Sequence, residues 1–459
     1  NLFGGVLPPA DMLVWVYSML DLMAQPGYRS ELLYRESVNG FMRSRPYGTD
    51  RAAVLHDYVL MVVWSAHSYG VSAAAYRDFF RFTLRDPSPL TWVLKGDLYT
   101  HLMLPIRRKL EELGVTLHLG QAVTRIVAGD AGVSEIEIQE TRYDPLTHRT
   151  WPDPEKEPYT QSVENLVLAV SPKAMGTLAQ LGEEGRRLVD YVPHLSEARQ
   201  ARAEPIAVLD LYFNRRIPDI PDDHVSLWDS PMNLSFLDLS QVWDNLREGD
   251  VTALTVAASN YYGLPSEARG AGVHQNIAAM VSELRRYLGP LPHEAIDFEK
   301  THFQTNLGDE LFINDVASDI WRPETCHEAI PNLFMAGGYC VNDVGMATVE
   351  AAVTSGLLAA RALHERSPLG DPVEVRGHEA YPDSIVHMMK LALMPAAYQA
   401  KWWSGARDML GDATADRSAS TWSRDLASLW SLPARYAVDA WETSLAWYGC
   451  LWDDLLGRR

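Results

Sequence analysis

The chain has 459 residues, 47% hydrophobic and 22% charged, which suits two or three folded domains with real cores. Its net charge of -20 and pI near 5.1 argue against nucleic acid as a partner and against a polybasic hold on anionic lipid. Three widely spaced cysteines, Cys326, Cys340 and Cys450, suggest neither a disulfide framework nor a metal site, so a reducing, cytoplasmic setting fits, and no apolar run approaches the roughly 18 residues of a spanning helix.

Pro8-Pro9 leads into MLVWVYSML (12–20), a buried helix entered through proline, whose missing N–H would be unpaired there anyway. Further helical stretches rich in Tyr, Met and Trp run to about residue 90. In WSAHSYG, His67 and Tyr69 either border a substrate channel or are ordinary core residues. From 96, Leu98, Leu102, Ile106, Leu110 and Leu113 form an apolar helical stripe that Gly114 is placed to stop. VTLHL, AVTRIVA, EIEIQE and VENLVLAVSP read as strands, the last an apolar run that suggests burial on both faces. IAVLDLYF, HVSLWDS, LSFLDLS and TALTVAAS (206–258) read as an antiparallel sheet, and HQNIAAMVSELRRYLG as an amphipathic helix. An apolar pocket is expected between that sheet and the helices of 10–90, with Tyr212 and Trp228 on the sheet side. After SPLGDP the chain turns helical, acidic and tryptophan-rich. There Trp441, Leu445, Tyr448, Trp452 and Leu455 make one continuous helical face. That face packs on its own domain, docks a protein partner, or lies at a membrane surface; Asp439, Glu442, Asp453 and Asp454 on the polar side disfavour the last.

The most informative stretch is NLFMAGGYCVNDVGMATVEAAVTSGLLAARAL, 332–363. It reads as a buried strand, the glycine pair Gly337-Gly338, a short loop, and a helix starting near Gly345-Met346-Ala347. Glycines allow close backbone approach, and a helix start leaves N–H donors that favour an electron-rich ligand. On the residues alone, a tight helix–sheet contact without any ligand explains the pattern equally well.

This stretch resembles the C-terminal flavin-binding motif of the FAD-dependent amine oxidase and carotenoid desaturase superfamily. The matching residues are Asn332 to Gly337, Met346 to Ala352, and Ser355-Gly356. GDLYTHLMLPIRRKLEELGVTLHLGQAVTRI and VENLVLAVSP resemble the family's next sheet segments. IAVLDLYFNRRI through LSFLDLS resembles the substrate-domain sheet of squalene- and carotene-type desaturases and hydroxysqualene dehydroxylase.

The resemblance implies an α/β fold: a partial, Rossmann-like FAD-binding domain, an inserted α+β substrate domain and a helical C-terminal extension. The expected segments are 1–95 (substrate-domain helices), 96–172 (FAD domain), 173–327 (substrate-domain sheet and helix), 328–366 (FAD motif) and 367–459 (Trp-rich extension). It also implies FAD as cofactor. Gly337 and Gly338 would lie along the pyrophosphate and ribityl chain. Gly345, Met346 and Ala347 would stand at the flavin edge, and backbone at Val123 would meet adenine. Tyr339 joins His67, Tyr69, Tyr212 and Trp228 as candidate substrate contacts, with no catalytic acid or base named. Arg322-Pro323 resembles the RP ahead of the family's flavin motif and otherwise reads as a surface turn.

Two departures stand out. Gly338 occupies the place of the family's ribityl-binding acid, for which Asp343 substitutes only if its loop folds back. No GxGxxG occurs anywhere in the sequence, so Asn1 corresponds to a point inside the family's chain. The expectation is an FAD-dependent oxidoreductase acting on an apolar, isoprenoid-like substrate, with the first dinucleotide-binding segment supplied by a second polypeptide that completes the FAD domain, separated by a cut, or lost. The competing expectation is a flavin-free relative serving as an assembly subunit.

Overall fold

The computed structural model describes residues 7–25, 30–85, 92–129, 132–144, 149–178, 188, 200–265, 273–307, 311–377, 381–411 and 419–456. Five helices come first: α1 (Pro9–Met23), α2 (Ser30–Tyr34), α3 (Val38–Ser44), α4 (Asp50–Trp64) and α5 (Ala73–Arg85). Ser37 and Thr49 cap α3 and α4 by accepting backbone N–H bonds from Gly40 and Ala52. Ser65, in the left-handed region at φ 53°, ends α4 and turns the chain towards His67.

A π-helical turn, Tyr99–Met103, leads into α6 (Leu104–Glu112). Strands β1 (Gln121–Gly129), β2 (Gly132–Asp144), β3 (Arg149–Pro152) and β4 (Tyr159–Ser162) form an antiparallel sheet in which Val123 faces Ile138. Next come β5 (Leu166–Leu168), α7 (Pro172–Leu178), β6 (Ala203–Glu204), β7 (Ala207–Phe213), β8 (Val225–Ser226), β9 (Leu234–Asp238) and β10 (Thr252–Ala258). Then follow α8 (Val273–Leu288), β11 (His302–Thr305), β12 (Leu311–Phe312), β13 (Cys326–His327) and β14 (Ile330–Met335). The long helices α9 (Val349–Arg366), α10 (Asp383–Gly411) and α11 (Ala419–Leu455) close the chain.

The expected antiparallel sheet is present, in the order β11-β7-β10-β9-β8. Alternate residues of β7 (Ala207, Leu209, Leu211 and Phe213) point into a core shared with Ile277, Met280, Val281 and Leu284 of α8. The nucleotide-type sheet is smaller. β14 pairs in parallel with β5, Leu333 against Leu166 and Met335 against Leu168, and β13 pairs antiparallel on its other side. Asn332 ties this sheet to the β1–β2 hairpin: its Oδ1 accepts from Val133 N, and its Nδ2 donates to the carbonyls of Val133 and Glu164.

Three expectations of burial or strand pairing fail. VTLHL forms no strand, and Leu119 is 72% exposed. The stripe from Leu98 to Leu113 lies open; neither α6 nor the π-turn before it buries any residue. Val167 of β5 is exposed, so that strand is not buried on both faces. Among the described residues, β5 and β1 are edge strands with no strand paired along their outer sides. A strand forms where a neighbour supplies its hydrogen bonds, and for VTLHL no described residue does so.

The C-terminal helices are built into the N-terminal ones. Lys390 Nζ of α10 meets Asp21 Oδ1 of α1 at 2.7 Å, and Arg407 Nη2 meets Asp11 Oδ2 at 3.0 Å. Both carboxylates are buried, and burial raises the Asp21 pKa, yet Lys390 and Arg45 more than offset it and hold the group at about 2. Tyr398 of α10 donates to Asp439 of α11, and the two helices enclose an apolar cavity of about 770 Å³ lined by Trp402, Leu429, Trp430, Pro433 and Tyr436. The face expected to be continuous on α11 stays in solvent, with Trp441, Leu445, Tyr448, Trp452 and Leu455 all exposed. No helix among the described residues is long and apolar enough to cross a membrane.

Candidate functional site

The site forms where the carboxyl ends of β5 and β14 meet the start of α9. β14 is buried through Leu333, Phe334 and Met335, and its direction delivers Gly337-Gly338 to the sheet's end. The helix begins at Val349, two to four residues later than the start near Gly345-Met346-Ala347 expected from the sequence, because the Thr348 side chain caps it by accepting from Ala351 N at 3.1 Å. Ala351, Ser355 and Ala359 form its buried face. Small residues there bring the helix close enough for Ser355 Oγ to accept from Gly337 N at 2.8 Å and to lie 3.0 Å from Gly337 O.

Gly337, at φ 145°, sits beneath the Tyr339 ring, where an added Cβ would come within 2.7 Å of a ring carbon. Its backbone is therefore satisfied from within the chain. Gly338 faces the helix entry, and a Cβ there would lie 3.2 Å from Thr348 O. The N–H groups of Val349 and Glu350, in the first turn of α9, have no acceptor within the helix, and both residues are exposed.

The loop 339–345 is held from below. Arg322 is buried, not on a surface turn, and its guanidinium donates to Cys340 O at 2.7 Å and Tyr339 O at 3.0 Å, with Gly345 O at 3.4 Å. Gly345, at φ 73°, packs against Asp78, whose Oδ2 would lie 2.7 Å from an added Cβ. Burial raises the Asp78 pKa against the pull of Arg77, Arg81 and Arg322. Burial likewise pushes the Cys340 thiol up to about 12, so it stays protonated.

The remaining sequence candidates divide. Met346 is buried among Trp64, Phe79 and Phe82. Ala347 N–H donates to Asn314 Oδ1 at 2.7 Å. Asp343 is exposed and contributes no bond to the glycine pair among the described residues. Val123 packs into the β1–β2 core beside Leu333. His67 and Tyr69 stack, with centroids 5.0 Å apart, and His67 Nδ1 meets Asp57 Oδ2 at 3.1 Å, which raises the imidazole pKa. Trp228 meets Tyr58 at 4.2 Å, joining the sheet to the helices, while Tyr212 is half-buried on β7. Tyr339 is buried. None of these five candidates lines the apolar cavity between α10 and α11.

Asn314 went unrecognised in the sequence. It stands in FINDV with no motif around it, and only its Ser72 and Ala347 contacts, distant in the chain, reveal its place.

A parallel strand pair ending in paired glycines and a helix start, with an antiparallel sheet and helical layer earlier in the chain, defines a nucleotide-cofactor oxidoreductase fold. The sequence supplies the family. The family model described as flavin containing amine oxidoreductase matches residues 71–364, well over half of the chain, and the chain belongs to that family. No curated protein sequence matches it. Solved structures share the fold at low identity. An oxidoreductase from Methanosarcina mazei is 11% identical over 76% of this chain and 72% of that one, with a TM-score of 0.51. A single-substitution putrescine oxidase from a cofactor-binding redesign is 12% identical over 76% and 73%, with a TM-score of 0.52. Wild-type putrescine oxidase bound to putrescine is 13% identical over 77% of each chain, with a TM-score of 0.50.

The family is flavin-containing, and FAD is the cofactor that membership implies. The residues present fit one edge of it. The start of α9 offers free N–H groups, and Asn314, only 2% exposed, holds an Nδ2 with no acceptor among the described residues beside the Ala347 bond. Both suit an electron-rich ligand edge. The strand–GxGxxG–helix that would hold the nucleotide end has no counterpart in the sequence.

Proposed function

We propose that this chain is the substrate and flavin-edge half of an FAD-dependent oxidoreductase acting on an apolar, isoprenoid-like substrate. A second polypeptide would complete the nucleotide site with a strand–glycine turn–helix unit. Bound FAD would supply the chemistry of hydride acceptance from a substrate carbon. The chain's own part is to present Gly338, the first turn of α9 and Asn314 to that group, and to hold the loop between them through Arg322. The preference for an apolar substrate rests on the resemblance of the 206–258 sheet to desaturases and on the aromatic junction of Trp228 with Tyr58.

One observation carries the split-site reading: apolar surface left open on several elements, together with the unpaired outer side of β5 among the described residues. Val349, Val353 and Leu357 form an exposed stripe on α9 at steps of four, Val167 is exposed on β5, and the Leu98–Leu113 stripe and VTLHL lie uncovered. Fully burying one such side chain stabilises by about 1.5–3 kcal/mol, so a unit docking across these surfaces has ample driving force. An open β-edge also invites pairing.

The test is native mass spectrometry and absorbance near 450 nm, on the chain alone and with its co-purifying material. The expected result is self-association or a heterocomplex, with flavin found only in the complex. A well-behaved 51.4 kDa monomer that unfolds cooperatively, without partner or flavin, would overturn the reading and leave the assembly-subunit role as the better one.

A further inference from the structure

We propose that Asn314 is a ligand-binding residue of this site, its side-chain amide donating through Nδ2 to an electron-rich oxygen or nitrogen of the bound flavin. The proposal rests on the flavin reading above and adds a residue that neither the motif nor the family match assigns.

The orientation of the amide is fixed by its neighbours. The backbone N–H of Ala347 can only donate, so the atom 2.7 Å from it is the amide oxygen. That places Nδ2, with its two hydrogens, on the other side of the group. Asn314 is 2% exposed, and Nδ2 has no acceptor among the described residues. A buried amide left half unpaired is costly, and native structures rarely tolerate it without a ligand or water to complete it.

The position is also rigid. Asn314 O accepts from Ser72 N at 2.9 Å, and Val71 and Asp315 form an antiparallel bridge. Ala317 N, in turn, donates to Tyr34 O at 2.7 Å. The segment is thus anchored to the corner before α5, while its side chain reaches the residue preceding the α9 cap. An amide fixed at both ends of its own residue loses little freedom when it binds, which makes it a good recognition group. Nδ2, like the first-turn N–H groups of Val349 and Glu350, is a donor, so the ligand atom it meets must be an acceptor.

Asn314→Asp separates the two roles. The aspartate keeps an oxygen for Ala347 N–H but removes both Nδ2 donors and puts a carboxylate towards an acceptor. FAD affinity is measured by fluorescence titration on the chain with its co-purifying partner, and unfolding of the flavin-free form is followed in parallel. We expect FAD binding at least about tenfold weaker, measured where the flavin-free form of both proteins is folded, since a carboxylate at so buried a position also lowers the flavin-free midpoint; one donor bond lost to a like-signed contact exceeds the roughly 1.4 kcal/mol of a tenfold change. Equal FAD affinity in wild type and Asn314→Asp would overturn the role of Asn314 and leave the flavin site standing. A wild-type complex that takes up no FAD at all would overturn both. Should Asn314→Asp fail to fold, wild type is titrated with FAD analogues in which a pyrimidine-ring oxygen is replaced by sulfur or a ring nitrogen by carbon, each a poorer acceptor. Weaker binding of one analogue supports the proposal, and affinities equal to FAD for all of them overturn it.

Discussion

Replacing Arg322 with methionine isolates what holds the flavin-motif loop. The side chains are similar in length, but methionine has no donors. Arg322 makes two good charge-assisted bonds, to Cys340 O at 2.7 Å and Tyr339 O at 3.0 Å; the Gly345 contact at 3.4 Å is long and adds little. Bonds to a charged group contribute about 1.5–3 kcal/mol each, and the relief of desolvating the guanidinium offsets part of this, so a net loss of about 3 kcal/mol is expected. At about 2.1 cal/mol/K per residue, unfolding of the whole chain as one unit converts that into a fall in Tm of about 3 °C. The larger effect is local. With carbonyl 339 unpaired and carbonyl 340 left with only the Asn342 Nδ2 donor at 2.9 Å, the loop loses its register against Ala347, and flavin retention drops. Asp78, facing the arginine from α5, keeps Arg77 and Arg81, so the variant is not left with a solitary buried charge. Arg322→Lys restores the charge but not the fork, and is expected to recover only part of the loss. The assays are differential scanning calorimetry, and limited proteolysis of 339–345. If Arg322→Met melted with wild type and its loop stayed equally protected, the loop would be held by something else, and the account of Arg322 would be wrong.

Gly345→Ala should destabilise by about 1–3 kcal/mol, because an L-residue is strained at φ 73° and its Cβ would press to 2.7 Å from Asp78 Oδ2. Urea unfolding checks this, and a wild-type midpoint would mean that the loop relaxes freely. His56 gives a pH signature. It is fully buried; Ser18 donates to Trp15 O and so accepts from His56 Nε2 at 2.7 Å, while Tyr76 O–H meets Nδ1 at 3.1 Å. Burial lowers its pKa to about 3. The unfolded state therefore binds the extra proton between about 6.5 and 3, and stability is full above 6.5 and falls as pH drops, by about 2 kcal/mol at pH 5. His56→Gln should flatten that fall, and an unchanged slope between pH 6.5 and 4.5 would assign the acid sensitivity to other groups.

What could be read from the sequence was what neighbouring residues decide. Alternation placed β7 and β10, proline placed the start of α1, and the run from Asn332 to Ala352 placed a strand, a glycine pair and a helix in order. Asn332 itself proved to be the tie between hairpin and sheet, which its place in the motif does not announce. The failures have a different cause. VTLHL has the alternation of a strand, and Leu98 to Leu113 the stripe of a packed helix, but pattern states only a capacity for burial. Whether it is realised depends on a surface to meet, and among the described residues none covers these two segments. Asn314 was invisible for the opposite reason: its role comes entirely from contacts with Ser72 and Ala347, far away in the chain, and a lone asparagine in a loop carries no local signature. The motif around Gly337 and α9 is held by bonds within the chain, from Ser355, Thr348 and Arg322. The Leu98–Leu113 stripe and that of Val349, Val353 and Leu357 lie open, and among the described residues no strand pairs with the outer side of β5. On the split-site reading proposed above, these are surfaces that a docking unit would cover, and their burial in the complex is what that reading requires.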